Sequence, residues 1–425
     1  MATTGTDRIV TLDIIRGVAV MGILTMNIAA FGLIEPAYLN PLAQPGADGG
    51  DIAVYLINFL FFDGKMRGLF SFLFGASMLM VILRAKAGGN SAIRTHYARM
   101  VWLLVFGLIH LWLMWWGDIL TLYALVGMIA WFFRTQPPHK LIAGAIALMV
   151  AQFALMLLLP FGIFMMQLAS HQPDAGEQVH QALTQFRHGF GIPEREWSMA
   201  QIALYRSGYG AILNHRMETA FSGPVNSLIF SGAETLAYMM LGMACLKSGF
   251  LSGEAPRATY RKWVLIGFGV GLPVYALLAA LLLLTGFTPL AVAAIVMTAT
   301  VPVRPLMIMG WAALIILAIP RTGALSRRIA AAGRMAFSNY LGTSLLCTFL
   351  FYGYGTGWYG MLDRAQLYLV VFAVWAIILL WSEPWLRHFR YGPLEWLWRC
   401  CARGKLQPLR GSALAPPANI ATHPQ

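Results

Sequence analysis

Long, mostly apolar stretches recur along this chain, at about 12–34, 52–83, 100–116, 118–133, 140–166, 224–246, 262–285, 303–320, 335–353 and 365–383. A bilayer-spanning helix needs about 20 such residues, because no water in the hydrocarbon core can satisfy a free backbone N–H or C=O. Only 11% of the 425 residues are charged, against about 25% in a soluble domain. A chain so poor in charge cannot cover a globule with polar surface. The pattern predicts an all-α, polytopic membrane protein with about ten transmembrane helices, one for each stretch. The stretch at 52–83 is too long for one straight span and contains FFDGKMRG, which predicts a broken second span at Asp63–Gly64. Residues 286–302, running into VPVRP, read as a re-entrant or interfacial piece before the next span.

The net charge of +13 follows from where the cations lie. Lys and Arg cluster at 84–99, 247–262, 321–334 and in the tail from Arg387 to Arg410. With an even span count these segments share one side, and the positive-inside rule makes that side cytoplasmic. Both termini are then inside, with 35–51 and 167–222 outside. The basic excess thus reads as topology, and no nucleic-acid partner is expected. The bilayer is the expected partner, together with a small-molecule or lipid substrate. The expected organisation is a five-span bundle at 1–166, an extracytoplasmic helical insertion at 167–222, a second five-span unit at 223–410 with an interfacial C-terminal segment, and a disordered tail at 411–425. The small residues of GFGVG, 267–271, predict a helix–helix contact of the kind that builds homodimers. No C-x-x-C, H-E-x-x-H or Walker A sequence occurs, so neither a metal site nor ATP-driven pumping is expected.

Ionisable residues inside spans are costly and usually face a bundle interior or a water-filled cavity. The stretch GLIHLWLMWWGDILTLYALVGM holds two, His110 and Asp118. His110 reads either as a neutral core histidine or as a general base; Asp118 reads as the cap of the following helix, a pocket wall, or both. On the first span Asp13 and Arg16 are helical neighbours, and Asn27 lies near the same stripe. A helix starting at Gly64 would aim free N–H groups at its surroundings, with Lys65 and Arg67 adding positive charge beside Asp63. Glu234 falls mid-span and needs a partner, a histidine or an arginine. Asn339 belongs to a polar run, SNYLGTS, that reads as helix packing or pocket lining. From the 167–222 segment, Tyr205, Arg206 and Arg216 read as ligand contacts or as part of a solvated amphipathic cap.

Taken in order, RIVTLDIIRGVAVMGILTMNI, FFDGKMRGLFSFLFGAS, GLIHLWLMWWGDILTLYALVGM, GRMAFSNYLGTSL, YGTGWYG and SEPWLRHFRYGPLEWLWR resemble the YeiB-like bacterial inner-membrane proteins, a family of unknown function. The resemblance covers residues 8 to about 407. That family is grouped with transmembrane acyltransferases such as heparan-α-glucosaminide N-acetyltransferase. The grouping implies an acyl-CoA or acetyl-CoA donor entering from the cytoplasm and a sugar-like or lipid acceptor at the outer face. The lysosomal enzyme's proposed catalytic histidine has no counterpart in DIAVYLINFLFFDG. His110, the one histidine within a predicted span, takes its place as the base, with Asp118 or Glu234 orienting it. Asn27, Asp63, Lys65, Arg67, Tyr205, Arg206, Arg216 and Asn339 are then the expected acceptor contacts, and Asp13 and Arg16 the residues nearest the donor. The alternative is a transporter or lipid flippase.

The charge asymmetry yields a direct test. Single cysteines placed within 167–222 should react with an impermeant maleimide added outside intact cells, and cysteines within 321–334 should not. Labelling of both segments from the same side would break the even span count.

Overall fold

A computed structural model describes residues 10–174, 176–320 and 322–410. The predicted disordered tail at 411–425 lies outside the described residues. The chain is all-α. In order, the helices are α1 (Val10–Gly32), α2 (Gly49–Phe61), α3 (Lys65–Ala87), α4 (Ala92–Ile109), α5 (Leu120–Ala130), α6 (Pro138–Ser170), α7 (Glu177–Phe190), α8 (Arg195–Tyr205), α9 (Tyr209–Thr219), α10 (Gly223–Lys247), α11 (Arg257–Leu284), α12 (Pro289–Val292), α13 (Arg304–Ala318), α14 (Ala324–Arg334), α15 (Ala336–Phe351), α16 (Arg364–His388) and α17 (Pro393–Arg403). Among the described residues, seven helices are long and apolar enough to cross a membrane. The pair Pro289–Ala299 and Arg304–Ala318, bent by 56°, has the length and composition of a broken span or of a re-entrant loop. The shorter apolar helices Leu120–Phe133 and Ala336–Phe351 occupy the two remaining predicted stretches.

Burial separates the centre of the bundle from its rim. In α1, 83% of the apolar window is buried, against 28% in α6, α11, α16 and the helix Ala92–Met114. The rim helices present Ile146, Leu158, Leu265 and Leu369 outward, as a lipid-facing surface requires. The central helix is therefore α1, which carries Asp13, Arg16 and Asn27.

The predicted break at Asp63–Gly64 is present, and the helical path is interrupted a second time between Ala299 and Arg304. At the first, Gly64 has φ 68° and precedes α3. This left-handed conformation favours glycine, and a Cβ here would also lie 2.6 Å from Arg304 Nε. The carbonyls orphaned at the end of α2 are met by Lys65 Nζ, which donates to Phe59 O, and by Trp311 Nε1, which donates to Phe61 O at 3.0 Å. At the second, Arg304 Nη2 donates to Val296 O at 3.0 Å and to Thr300 Oγ1 at 2.6 Å. Each break is thus closed by a cation from the segment that follows it.

The glycines of GFGVG do not wait for a second chain. A Cβ on Gly267 would lie 2.6 Å from Leu306 O, and one on Gly271 would lie 2.4 Å from Met307 Cγ. The motif is used by α11 against α13 within one molecule, which removes the observation behind the predicted homodimer. The tightest comparable contact lies between α10 and α3, where a Cβ on Gly242 would sit 1.8 Å from Phe72 O.

That contact can be checked. Gly242→Ala forces α3 and α10 apart against backbone atoms, an overpacking cost of about 1–3 kcal/mol, and should lower the melting temperature in detergent. Gly162→Ala, in α6 with open space around it, should leave the melting temperature unchanged or raise it. Equal effects at the two positions would show that the close approach is not a stabilising contact.

Candidate functional site

Two cavities of about 520 and 510 Å³ lie toward opposite ends of α1. The first is lined by Asp13 and Arg16 near the start of α1, and the second by Asn27 and Glu35 near and beyond its end. Ile23, Ile119 and Tyr340 line both. These three residues form the septum between the cavities.

The second cavity is organised by Glu234. Its Oε2 accepts from Arg67 Nη2 at 2.7 Å, and its Oε1 accepts from Arg304 Nη1 at 2.8 Å and from Tyr238 Oη at 2.7 Å. The carboxylate is 2% exposed. A buried carboxylate is tolerable only when paired and hydrogen-bonded, and both conditions are met by residues from α3, α13 and its own helix. The partner predicted for Glu234 is thus an arginine. Arg304 is a residue that sequence reasoning missed. Its signal was present, since an arginine between Pro302 and Pro305 within an apolar stretch is as costly there as His110 or Asp118.

Asp118 and His110 are held together, but not as an exposed base. The chain between α4 and α5 passes through a π-helical turn, His110–Met114, with Trp115 N donating to His110 O at 2.8 Å. His110 Nδ1 lies 2.8 Å from Asp118 Oδ1, and His110 Nε2 lies 2.9 Å from Ser344 Oγ. Asp118 Oδ2 accepts from Thr121 N at 2.7 Å, so Asp118 also caps α5 as predicted. Both ring nitrogens are engaged and both side chains are fully buried. His110 therefore does not line the cavity, and Asp118 reaches it through its partly exposed backbone. The pair stands directly behind the septum: Asp118 precedes Ile119 in the chain, and the Tyr340 ring centroid is 5.3 Å from that of His110.

The other predicted contacts divide. Asn27, Asp63, Arg67, Tyr205 and Arg216 line the second cavity. Arg216 is 2% exposed, and its Nε, Nη1 and Nη2 have no hydrogen-bond partner. Tyr205 stacks on Tyr359 at 4.6 Å, and its phenol is pushed up by burial and by Glu35, opposed by Arg216. Three predictions are corrected. Lys65 is fully buried, with Nζ on Phe59 O and 3.3 Å above the Tyr275 ring; it closes the helix break and does not face a ligand. Arg206 donates from Nε to Tyr359 O at 2.7 Å and does not line the cavity. Asn339 is saturated by Ala332 O, Ser382 Oγ and Trp381 Nε1 and serves helix packing.

The first cavity is basic. Arg16, Arg84, Arg99, Arg334, Arg390 and Arg399 line it, with Asp13 and Glu395 as the carboxylates. Arg16 is held by Asp13 Oδ1 at 3.0 Å and Ser77 Oγ at 2.6 Å. Glu395 accepts from Phe337 N, Ser338 N and Ser338 Oγ, docking α17 onto the start of α15; burial pushes its carboxyl above the usual carboxylate range. The loop arginines, legible in the sequence as topology signals, also converge on one hollow.

Residues 245–405 match a family model described as a protein of unknown function (DUF418). The chain is 35% identical over 405 residues to the uncharacterized protein YeiB of Escherichia coli, with 92% of this chain and 96% of YeiB aligned. It is 31% identical over 423 residues to the uncharacterized protein YxaH of Bacillus subtilis, with 96% and 97% aligned. No solved structure matches the chain.

The carboxylate cluster makes a quantitative prediction. Glu234→Gln leaves two guanidiniums facing each other without their counter-ion, a loss of about 3–5 kcal/mol for a broken buried pair, and the melting temperature should fall accordingly. Adding Arg304→Met to that variant should recover part of the loss. A strictly additive double variant would show that the two residues are not coupled.

Proposed function

Given that the chain belongs to the YeiB-like family of bacterial membrane proteins, we propose that it is a transmembrane acyltransferase of the inner membrane, with both termini cytoplasmic. The observation that carries this reading is the end-to-end pair of cavities with a three-residue septum. The arginine-rich cavity, on the side of the basic loops, suits the phosphates of an acyl-CoA or acetyl-CoA donor. The second cavity suits a sugar-like or lipid acceptor arriving from the other side. The acyl thioester then meets the acceptor at Ile23, Ile119 and Tyr340.

Chemistry at that point follows from the groups behind it. The acceptor's hydroxyl or amine loses a proton to the Asp118–His110 pair as its oxygen or nitrogen attacks the thioester carbonyl. The C–S bond breaks, the coenzyme leaves as thiolate, and the thiolate takes the proton back. Arg67 and Asn27, both on the cavity wall, are the groups placed to stabilise the oxyanion. Because the pair is sealed in the present arrangement, transfer requires Ile119 or Tyr340 to move when the donor arrives, a gating step of the kind common in enzymes. Glu234, held by two arginines and a tyrosine, acts as a positioning residue for Arg67 and Arg304. The rival reading, a transporter or lipid flippase, draws on the discontinuous helix pair around 300–303, since broken helices often border transport sites.

Proteoliposomes test the two readings together. Thiol should be released from acetyl-CoA presented on the face carrying the basic loops, and not from the opposite face. Asp118→Asn and His110→Gln should each lower that rate by about 10²–10⁴-fold, the usual cost of losing a general base, in protein that still melts cooperatively. Release of thiol at the wild-type rate from both variants would remove the pair from the chemistry. No donor consumption or donor-induced stabilisation, accompanied by flux of a lipid or solute, would establish transport.

A further inference from the structure

Arg216 is anomalous in the second cavity. It projects from α9, lies almost wholly buried, and offers all three guanidinium nitrogens to no acceptor. Folded proteins rarely keep a buried cation without a partner, because desolvation is not repaid. The neighbouring carboxylates are committed elsewhere or stand apart. Glu234 is taken by Arg67, Arg304 and Tyr238, and Asp118 by His110 and Thr121 N. Asp63 lies within electrostatic reach of Lys65 and Arg304. Glu35, exposed on the cavity wall, makes no ion pair with Arg216 among the described residues. Arg67 Nη1, on the same wall, is also unpartnered. Asn226 and Ser227 add an amide and a hydroxyl to the lining.

We propose that Arg216 is the anchor for an oxyanion, and that the ligand of the second cavity carries a phosphate-ester or carboxylate group bound by its guanidinium fork, with Arg67 Nη1 as a further donor. A planar guanidinium with every N–H free is suited to bidentate capture of such a group. This names the chemical class of the acceptor and so rests on reading the second cavity as an acceptor site, but the binding event requires no acyl transfer. The same oxyanion could belong to an anionic lipid headgroup or to a soluble ester, and the two sources differ in how they reach the cavity.

The test uses the full chain and reads melting temperature rather than turnover. In neutral detergent, glycerol 3-phosphate and glucuronate are titrated against sodium chloride at matched ionic strength. In parallel, nanodiscs of phosphatidylglycerol are compared with nanodiscs of phosphatidylcholine. Wild-type protein should be stabilised by at least one anionic probe beyond the salt control, since a ligand that binds only the folded state stabilises it by mass action. A response to the soluble probes assigns a soluble oxyanion; a response to phosphatidylglycerol alone assigns a lipid headgroup. Arg216→Gln and Arg216→Met should abolish the response. Both should also melt no lower than wild type without ligand, because they remove a buried unpaired charge. Arg195→Gln, an exposed residue of α8, should leave the response intact. If no anionic probe stabilises the protein, or if both Arg216 variants respond like wild type, the assignment is wrong. Should the variants lose the response while acetyl-CoA consumption is never found, the oxyanion site stands and the acyltransferase reading fails by itself.

Discussion

The buried carboxylate of Glu234, clasped between Arg67 and Arg304, is the interaction on which the remaining architecture depends. It ties α10 to α3 and α13 at the level where the second span and the α12–α13 pair are both broken. Arg304 serves the carboxylate through Nη1 and the orphaned end of the preceding half-helix through Nη2. Its Nε lies where any side chain on Gly64 would be. One guanidinium therefore closes one break and fits against the other. Broken helices in a bilayer are viable only where protein or a polar cavity satisfies the freed backbone groups. Here the closing groups are charged, and charge in turn needs Glu234. Carboxylate, arginines, lysine and breaks form one mutually dependent unit, and the second cavity is the hollow beside it.

The septum sets what the two hollows can do together. Three side chains separate a chamber rich in arginine from one with mixed charge. Asp118 and His110 are fixed behind it by three hydrogen bonds: to each other, from Thr121 N to Asp118, and between His110 and Ser344 Oγ. Such a network holds one geometry at the cost of access. The π-helical turn at His110 adds a residue to the helix and carries the chain from α4 to the capped start of α5 just where the network is needed. Reaching the Asp118–His110 pair from either hollow would require displacement of Ile119 or Tyr340, the residues lining both.

Much of this was legible in the sequence, for a physical reason. Each apolar stretch must be helical in a bilayer, so the span pattern and even the break at Asp63–Gly64 could be placed from composition and the Asp-Gly signal. The same logic singled out His110, Asp118 and Glu234, because polar groups inside spans require partners. Which partner each took was not legible. Glu234 could have met a histidine or an arginine, and the choice depends on how α3, α10 and α13 cross. Lys65 was misjudged because a lysine after a glycine break looks like an anion site until the fold shows it turned back onto Phe59 O. Asn339 looked like pocket lining until its amide was seen to be used up within the bundle. The GFGVG stretch announced a close helix contact correctly, but sequence spacing carries no information on whether the second helix belongs to the same chain.

The cost of charge in a low-dielectric interior also ranks the polar groups by purpose. Lys65, Arg304, Glu234 and Asp118 all have partners, and their desolvation is offset locally. Arg16 is likewise held by Asp13 and Ser77. Structural requirements account for these groups whether or not the protein ever meets a substrate. Arg216 is different, because no contact within the fold explains why a cation should be there. A guanidinium with no partner favours leaving the interior, and α9 is a short surface helix joined to α8 and α10 by a few residues. Yet Arg216 stays inward, 2% exposed, beside the buried Ile212 of the same helix. On the oxyanion proposal, the missing negative charge comes from a group bound in the cavity. By this argument the unoffset cation reports on a ligand, and the offset ones report on the fold.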